Sequence, residues 1–255
     1  MPKLYERSEI YDLIENESRR IWIREHYETV FQGKEIHTLL DVSIGSGGMT
    51  LPIADLGIRL YGSDLSQDML DKCQTKADGF HIPITLKCSD FRTVSAQFPQ
   101  QFDCVISSGN SLGYVPNDDV LLTLEQMDHL IKDGGYLYFD IRNWDMILSK
   151  KPRYYLYNPS FVKDTRVNLM QFWDYPPDGC VDFNLLYTFE KENRILQHEH
   201  FIEHYFPIRQ QLLLKKLEQL GYRNIEIFSM PKHKGVFDLE VSEWYCVIAQ
   251  KHSSN

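Results

Sequence analysis

The sequence predicts an α/β fold, a doubly wound sheet of seven strands whose last strand is antiparallel, interrupted by an antiparallel β insertion. Two observations predict it. Short β-forming runs alternate with helical stretches between residues 38 and 141, which is typical of a parallel sheet covered on both faces. Strand-like runs then follow one another up to residue 207 with little helix between them.

The first half of the chain begins with a helix and continues with five strands. Apolar side chains on one helical face predict a broken helix over 10–31. The predicted strands lie at 38–43, 58–64, 84–90, 102–108 and 136–141. The predicted helices between them lie at 49–56, 66–75 and 118–131, with Ser66 as an N-cap and Gly134-Gly135 as a stop.

Four segments follow from this pattern. Residues 1–36 are predicted to form an N-terminal helical lid, and 37–150 the ligand-binding α/β core. Residues 151–207 carry turn signals such as Pro176-Pro177-Asp178-Gly179 and predict the antiparallel insertion, which would cover a substrate. Residues 208–255 contain a helical stretch and the strand-like runs NIEIFSM and WYCVIAQ, which complete the core.

The composition is that of an ordinary globular protein. Of 255 residues, 43% are hydrophobic and 25% charged, which excludes a disordered or collagen-like chain. The net charge of −9 would repel a phosphate backbone, so we expect no nucleic-acid partner. No uncharged apolar run approaches the roughly 18 residues of a membrane span, so we expect a cytoplasmic protein without a membrane partner.

The metal-ligating residue types show no recognised metal motif. Five cysteines are scattered without CxxC spacing, which disfavours a disulfide framework and a structural zinc site. His198, His200 and His204 share one strand face, where imidazoles can meet a metal ion. A half-solvated strand face explains them equally well, and we expect no metal.

The strongest local signal is a glycine-rich loop after the first strand. In LLDVSIGSGGMT the strand ends at Asp41 and enters Gly45, Gly47 and Gly48 before a helical stretch. Glycines let the backbone approach a ligand closely, and a helix N-terminus adds positive charge. Thr50 stands where the dinucleotide spacing G-x-G-x-x-G needs its third glycine, so a pyrophosphate site fits poorly.

Acidic residues end the next two strands. Asp64 lies 19 residues after Gly45, where a carboxylate can accept both ribose hydroxyls. Asp90 can accept an adenine amino group beside Phe91, which can stack on a base. Since parallel strands end at one edge of the sheet, these acids and Asp41 are expected to meet at one ligand site.

This arrangement resembles the class I S-adenosylmethionine-dependent methyltransferases over residues 38–141. The resemblance implies their Rossmann-like seven-stranded sheet and S-adenosylmethionine as cofactor, with methionine, ribose and adenine held in turn by the first three strand ends. Ser43 stands where the family usually has glycine. The cofactor-binding residues that the resemblance implies are Asp41, Gly45, Gly47, Asp64, Leu65, Asp90, Phe91 and Ser108.

Two further elements resemble the glycine and sarcosine N-methyltransferases, namely 109–111 and 140–149. By this resemblance Arg142 grips an amino-acid carboxylate and Asn110 is a second polar anchor. A planar guanidinium does present paired donors to a carboxylate. A salt bridge from Arg142 to Asp140 or Asp145 is the structural alternative.

Tyrosines in the insertion could surround an ammonium group or simply pack a small sheet. The stretch 204–207 is similar to a tyrosine-rich segment of the same family, which implies roles in catalysis for Arg142, Asn110 and Tyr205. Tyr11 would close over the site from the first helix. The substrate-binding residues implied in this way are Tyr11, Asn110, Arg142, Tyr155, Tyr187 and Tyr205.

The expected function is methyl transfer to the amine of glycine, sarcosine or a related small substrate. An N-methyltransferase of amino sugars or other natural products is the alternative enzyme. Ser43 motivates a third hypothesis, a cofactor-binding sensor without turnover. A small-molecule amine is the expected partner, and the chain could form a homo-oligomer.

Overall fold

The computed structural model describes residues 4, 7, 10, 12–14, 17–230 and 237–252 of the chain. The first half of these residues contributes five parallel strands to one sheet. They are β1 (Thr38–Asp41), β2 (Arg59–Asp64), β3 (Ile84–Cys88), β4 (Phe102–Ser107) and β5 (Ile131–Arg142).

Five α-helices within the described ranges cover the sheet and its ends. They are α1 (Glu17–Val30), α2 (Gln67–Gly79), α3 (Asn117–His129), α4 (Trp144–Lys150) and α5 (Gln210–Gln219). Ser66 caps α2, since its hydroxyl accepts a hydrogen bond from the Met69 N–H at 3.3 Å. Short 3-10 helices span Asp12–Ile14, Leu51–Leu56, Phe91–Gln97 and Ser111–Tyr114.

A second, antiparallel sheet follows α4. Its strands are β6 (Tyr154–Leu156), β7 (Ser160–Val162), β8 (Thr165–Asp174), β9 (Val181–Lys191) and β10 (Arg194–Tyr205). Buried residues alternate with half-buried or exposed ones along most of β8 and β9, because one face of this sheet packs inward and the other lies nearer the solvent.

After α5 the chain returns to the first sheet with β11 (Tyr222–Met230) and β12 (Trp244–Lys251). The strand order is β11-β12-β5-β4-β1-β2-β3, and β12 runs antiparallel to both of its neighbours. The predicted α/β fold with an antiparallel last strand is therefore confirmed, as is the separate antiparallel sheet.

The core lies on both faces of the seven-stranded sheet. Leu40 and Val105 pack into one cluster, whereas their chain neighbours Leu39 and Ile106 pack into the cluster on the opposite face. All four side chains are fully buried. Successive side chains of a strand point to opposite faces, so a sheet covered on both sides needs apolar residues at consecutive positions.

Among the boundaries that differ from the prediction, two depend on glycines. The predicted helix at 49–56 is only the 3-10 helix Leu51–Leu56, because Gly57 ends it in a left-handed conformation with φ of +78°. The predicted helix stop at Gly134-Gly135 lies inside β5, which starts at Ile131. A Cβ on Gly135 would stand 2.8 Å from the Asp103 carbonyl oxygen, so the close approach of β5 and β4 requires glycine there.

None of the helices within the described ranges combines the length and apolar character that crossing a bilayer requires.

Candidate active site

A cavity of about 930 Å³ lies at the carboxyl ends of the parallel strands and extends over the inner face of the second sheet. Its volume is within the range of small-molecule sites, and its position is where open α/β sheets bind ligands. The sequence-predicted residues that line it are Gly45, Asp64, Leu65, Asp90, Phe91, Ser108, Asn110, Arg142, Tyr155, Tyr187 and Tyr205.

Asp41 is fully buried beneath the glycine-rich loop and does not line the cavity. Its carboxylate accepts hydrogen bonds from the Ser43 N–H at 2.9 Å, from the Ser108 hydroxyl at 2.7 Å and from the Thr50 hydroxyl. Burial raises the pKa of Asp41. Asp41 thus joins the loop after β1 to the loop after β4 from below, and its role in cofactor binding stays a prediction.

The two loop glycines have different surroundings. Gly45 has φ of +54°, lines the cavity and donates its N–H to Asp64 Oδ2 at 2.9 Å. Gly47 has φ of +84° and does not line the cavity. A Cβ there would lie 2.8 Å from Cys73 Sγ and from Leu51 Cγ. Gly47 therefore packs between the loop and α2, and its contact with a ligand stays a prediction.

Ser43 places its hydroxyl against protein atoms. Its Oγ lies 3.0 Å from Ser107 Oγ and donates to the Ser108 carbonyl oxygen at 3.3 Å. That carbonyl also accepts a 2.7 Å hydrogen bond from the Ser111 hydroxyl. The side chain that departs from the family pattern is therefore accommodated within the wall.

Asp64 and Leu65 form the wall after β2. Asp64 accepts hydrogen bonds from the Gly45 and Ser66 N–H groups, both at 2.9 Å. Burial raises its pKa. A carboxylate has about four acceptor positions, so ligand hydroxyls can still be accepted. Leu65 is 71% exposed and presents an apolar surface to the cavity.

Asp90 is already paired with an arginine that the sequence did not single out. Arg92 donates to Asp90 from Nε at 3.0 Å and from Nη2 at 2.6 Å. Its Nη1 donates to Asp119 at 2.8 Å. These hydrogen bonds hold the pKa of Asp90 below its usual value. An adenine amino group at Asp90 would therefore share the carboxylate with Arg92, beside the half-buried Phe91.

Asp140 ties the loop after β4 to β5 and β12. The fully buried carboxylate accepts hydrogen bonds from the Gly109 N–H at 3.0 Å and the Asn110 N–H at 3.1 Å. The Trp244 indole N–H donates to it at 3.1 Å. Burial raises the pKa of Asp140 to about 7. Asn110 itself is left-handed with φ of +63°, a conformation that asparagine tolerates well.

Arg142 ends β5 inside an aromatic cage. Its guanidinium carbon lies 5.0 Å from the ring centroids of Phe183 and Trp244 and 5.3 Å from that of Trp173. The residue is only 8% exposed and lines the cavity. Cation–π attraction from these three rings stabilises the charge at this position.

Neither Asp140 nor Asp145, the two acids considered as salt-bridge partners, pairs with Arg142. Asp140 is engaged as described, and Asp145 accepts from Arg209 at 3.0 Å and from the Gln210 N–H at 2.9 Å. Within the part of the chain that the structure describes, the Arg142 guanidinium has no hydrogen bond or ion pair, so the expected alternative salt bridge is absent.

The Asn110 amide is oriented by Arg142. Its Oδ1 accepts the Arg142 backbone N–H at 2.9 Å, which leaves the Nδ2 group as a donor. This Nδ2 is buried and has no hydrogen-bond partner among the described residues. Two donor groups at the same cavity wall thus lack a protein acceptor.

Comparison with known proteins agrees with this architecture. Residues 39–135 match the family model described as a methyltransferase domain. The glycine/sarcosine N-methyltransferase of Aphanothece halophytica is 25% identical over 217 residues, which cover 84% of this chain and 76% of that protein.

Two solved structures share the fold over nearly the whole chain. A S-adenosylmethionine-dependent methyltransferase from Clostridium acetobutylicum matches with a TM-score of 0.73 at 17% identity, covering 96% of this chain and 98% of that one. By its matched domain the chain is a methyltransferase, and it resembles the class I S-adenosylmethionine-dependent enzymes. An amino pentose methyltransferase from Micromonospora echinaspora matches with a TM-score of 0.71 at 12% identity, covering 98% of each chain.

The tyrosines of the methyltransferase have unequal positions. The Tyr205 hydroxyl lies 2.6 Å from that of Tyr114, and its ring packs 4.6 Å from the ring of Phe183. Tyr155 is half-buried, and burial raises its pKa. Tyr187 is almost wholly buried within the core of the second sheet. The prediction for Tyr11 falls on a residue outside those that the structure describes.

Sequence reasoning missed Glu203 and the aromatic cage of the methyltransferase. Glu203 is 4% exposed, lines the cavity and accepts the Leu4 N–H at 3.1 Å. It pairs in register with Phe183, which in turn pairs with Trp173, so the three lie in one row across the inner face. A signal existed for Glu203, because a residue two positions before the inward-facing Tyr205 shares its face.

The three histidines of β10 are all exposed, and two of them contact polar residues of β9. A ring nitrogen of His200 lies 3.2 Å from Asn184 Oδ1, and His204 Nδ1 lies 2.6 Å from Asp182 Oδ1. His204 and Asp182 are paired in register, whereas His200 contacts Asn184 diagonally, and both contacts lie on the outer face of the second sheet.

Proposed function

We propose that the methyltransferase transfers a methyl group to the amine nitrogen of a small acceptor that carries a carboxylate, such as glycine or sarcosine. The observation that carries the proposal is the Arg142 guanidinium, which is 8% exposed and faces the cavity without an acidic partner among the described residues. A buried charge is costly unless it is paired, so the natural complement of this cation is an anionic ligand.

Asn110 supports a carboxylate as that anion. Its unpartnered Nδ2 and the planar fork of Arg142 line the same wall, and the hydrogen bond between Asn110 Oδ1 and the Arg142 N–H fixes their relative positions. Charge-assisted, paired donors recognise the two oxygens of a carboxylate with defined orientation. The acceptor would thereby be held at the end opposite its nitrogen.

The residues after β1 to β3 fit S-adenosylmethionine. Gly45 leaves open space where a side chain would stand, since no atom lies within 4 Å of a Cβ built there. Asp64 would accept the ribose hydroxyls, while Leu65 and Phe91 would contact the adenine. Asp41 and Gly47 act as positioning residues beneath the loop. The cofactor supplies an electrophilic methyl group on a sulfonium centre.

Positioning the acceptor for in-line attack supplies most of the catalysis. In-line attack needs the amine nitrogen at a fixed place and angle, and two anchors on the carboxylate restrict both. The nitrogen must arrive without its proton. A cavity walled by Tyr205, Tyr155 and Trp244 limits access of water and disfavours the charged ammonium form.

The test compares sarcosine with its uncharged amide, sarcosinamide, as acceptors for the wild type and for Arg142→Lys. Lysine keeps the charge and removes the paired planar donors. We expect the wild type to prefer sarcosine, and the variant to lose about 10-fold or more of its turnover on sarcosine alone. Affinity for S-adenosylhomocysteine, measured alongside, should stay unchanged. Equal losses on both acceptors would show that Arg142 supports the fold and does not grip a carboxylate.

An amino-sugar acceptor is the second candidate, favoured by the extent of the cavity. Beyond Arg142 the lining continues along the second sheet to Leu169, Leu185 and Tyr187, which gives more room than glycine needs. Under this alternative, amino sugars would be methylated faster than sarcosine, and Arg142→Lys would have a similar effect on charged and uncharged acceptors.

A further inference from the structure

Three metal-binding side chains meet at the end of the second sheet where β9 begins and β10 ends. Asp178 and Cys180 belong to the connection between β8 and β9, and His204 belongs to β10. One ligand atom from each residue lies within 4.8 Å of the other two. Nothing in the proposed methyl transfer uses this cluster.

The local structure holds these side chains together. Asp178 Oδ1 accepts the Cys180 N–H at 3.0 Å, and Gly179 between them takes φ of +85°, so the turn presents both side chains on one side. His204 Nδ1 lies 2.6 Å from Asp182 Oδ1 in a cross-strand pair. Metal-binding histidines commonly have such a carboxylate, which orients the ring.

We propose that Asp178, Cys180 and His204 bind a zinc ion, with Asp182 as the hydrogen-bond partner that orients the imidazole. Thiolate, imidazole and carboxylate together form a zinc-type ligand set. Zinc bonds of roughly 2.0–2.3 Å put tetrahedral ligand atoms roughly 3.3–3.8 Å apart, so the cluster closes on the ion through small side-chain movements. On binding, the Cys180 thiol gives its proton to the solvent and the sulfur bonds to zinc.

The charges around the cluster favour a cation. Neither Asp178 nor Asp182 forms an ion pair with a lysine or arginine in the part of the chain that the structure describes. The ion would fasten the turn to β10, the strand that carries Glu203 and Tyr205 to the cavity. The site would therefore stiffen the end of the sheet next to the acceptor.

The experiment titrates the metal-free, full-length protein with Co²⁺ and records the thiolate-to-cobalt charge-transfer absorption. We expect saturation at one equivalent and loss of the band when Zn²⁺ is added. Cys180→Ser should abolish the band. His204→Gln and Asp178→Asn should each weaken zinc binding by about 10-fold or more, as loss of a ligand or of its support typically does.

Two matched variants serve as controls. Cys88→Ser removes an exposed thiol on the other sheet, and His200→Gln removes an exposed histidine on the same strand face as His204. Both should keep the band and the wild-type affinity. A band that survives Cys180→Ser, a band lost in Cys88→Ser, or the absence of saturable one-to-one binding would overturn the proposal. His204 and Asp178 are exposed, so these two variants preserve the test even if Cys180→Ser does not fold.

Discussion

The two halves of the cavity differ in whether their polar groups already have hydrogen-bond partners within the protein. In the cofactor half, made by the loops after β1 to β3, the carboxylates of Asp41 and Asp64 are already occupied by donors of the protein itself. In the acceptor half, made by Arg142, Asn110 and the inner face of the second sheet, the Arg142 guanidinium and the buried Asn110 Nδ2 have no protein acceptor among the described residues.

This difference teaches how each half reaches its working geometry. Internal hydrogen bonds arrange the cofactor half during folding, so little ordering remains when a ligand binds. The acceptor half keeps buried donors whose desolvation is offset only when a ligand supplies an acceptor. We therefore expect substitutions in the cofactor half to change binding of the sulfur nucleoside, and those in the acceptor half to change discrimination between acceptors.

The largest expected effect concerns Asp140, whose hydrogen bonds hold the acceptor half in place. Burial raises its pKa from the ordinary 3.8 to about 7. Between these values the folded protein retains a proton that the unfolded chain releases, so the contribution of Asp140 to stability falls as the pH rises. The fall is at most roughly 4 kcal/mol and ends once the pH exceeds the folded pKa.

Urea unfolding of the wild type and of Asp140→Asn, from about pH 5 to about pH 9, measures this contribution. The free energy of unfolding of the wild type, relative to the variant, should decline up to about pH 7 and stay level above about pH 8. A relative stability that rises with pH, or never changes, would contradict a neutral buried Asp140.

The next effect tests the cofactor half through Asp64→Ala. Removing the proposed ribose acceptor, which also holds the Gly45 N–H, should weaken binding of S-adenosylhomocysteine by about 1.5–3 kcal/mol. Isothermal titration calorimetry gives the affinity directly. Asp71→Ala, which removes an exposed acid of α2 bonded to Gln67, is the matched control and should bind like the wild type. Unchanged affinity in Asp64→Ala would remove Asp64 from the cofactor half.

The smallest expected effect comes from Asn110→Asp, which tests whether Asn110 helps the acceptor half to hold a carboxylate. The retained oxygen can still accept the Arg142 N–H, and aspartate tolerates the left-handed backbone. The second oxygen replaces the free donor and would repel an acceptor carboxylate. We expect the KM for sarcosine to rise about 10-fold and that for sarcosinamide to change little. An equal rise for both acceptors in steady-state kinetics would mark Asn110 as structural.

The sequence was sufficient for the sheet because strand runs and helices are local patterns. It also located Gly45 and Asp64, whose hydrogen bond joins the ends of two adjacent strands. It did not show that Asp41 and Gly47 lie beneath the loop, since a strand end shows which residues reach the sheet edge but not whether a residue lies above the loop or below it.

The acceptor half and the metal-binding cluster needed the structure because they depend on strand register. Trp173 and Phe183 meet Arg142 only through the pairing of β8 with β9. In the sequence, Cys180 is one of five scattered cysteines, and His204 is one of three histidines on one strand face. Turn lengths decide which of them become neighbours, and those lengths have no signature that a single sequence makes plain.

Because β12 is synthesised after the other strands, it sets the point during synthesis at which methyl transfer becomes possible. Trp244 pairs across the sheet with Arg142, forms one wall of its cage and donates to Asp140. A nascent chain can assemble the five parallel strands long before this tryptophan leaves the ribosome, since domains begin to fold from their N-terminal part. The growing chain would then contain the cofactor pocket but no finished acceptor pocket, so methyl transfer would have to wait until β12 takes its place.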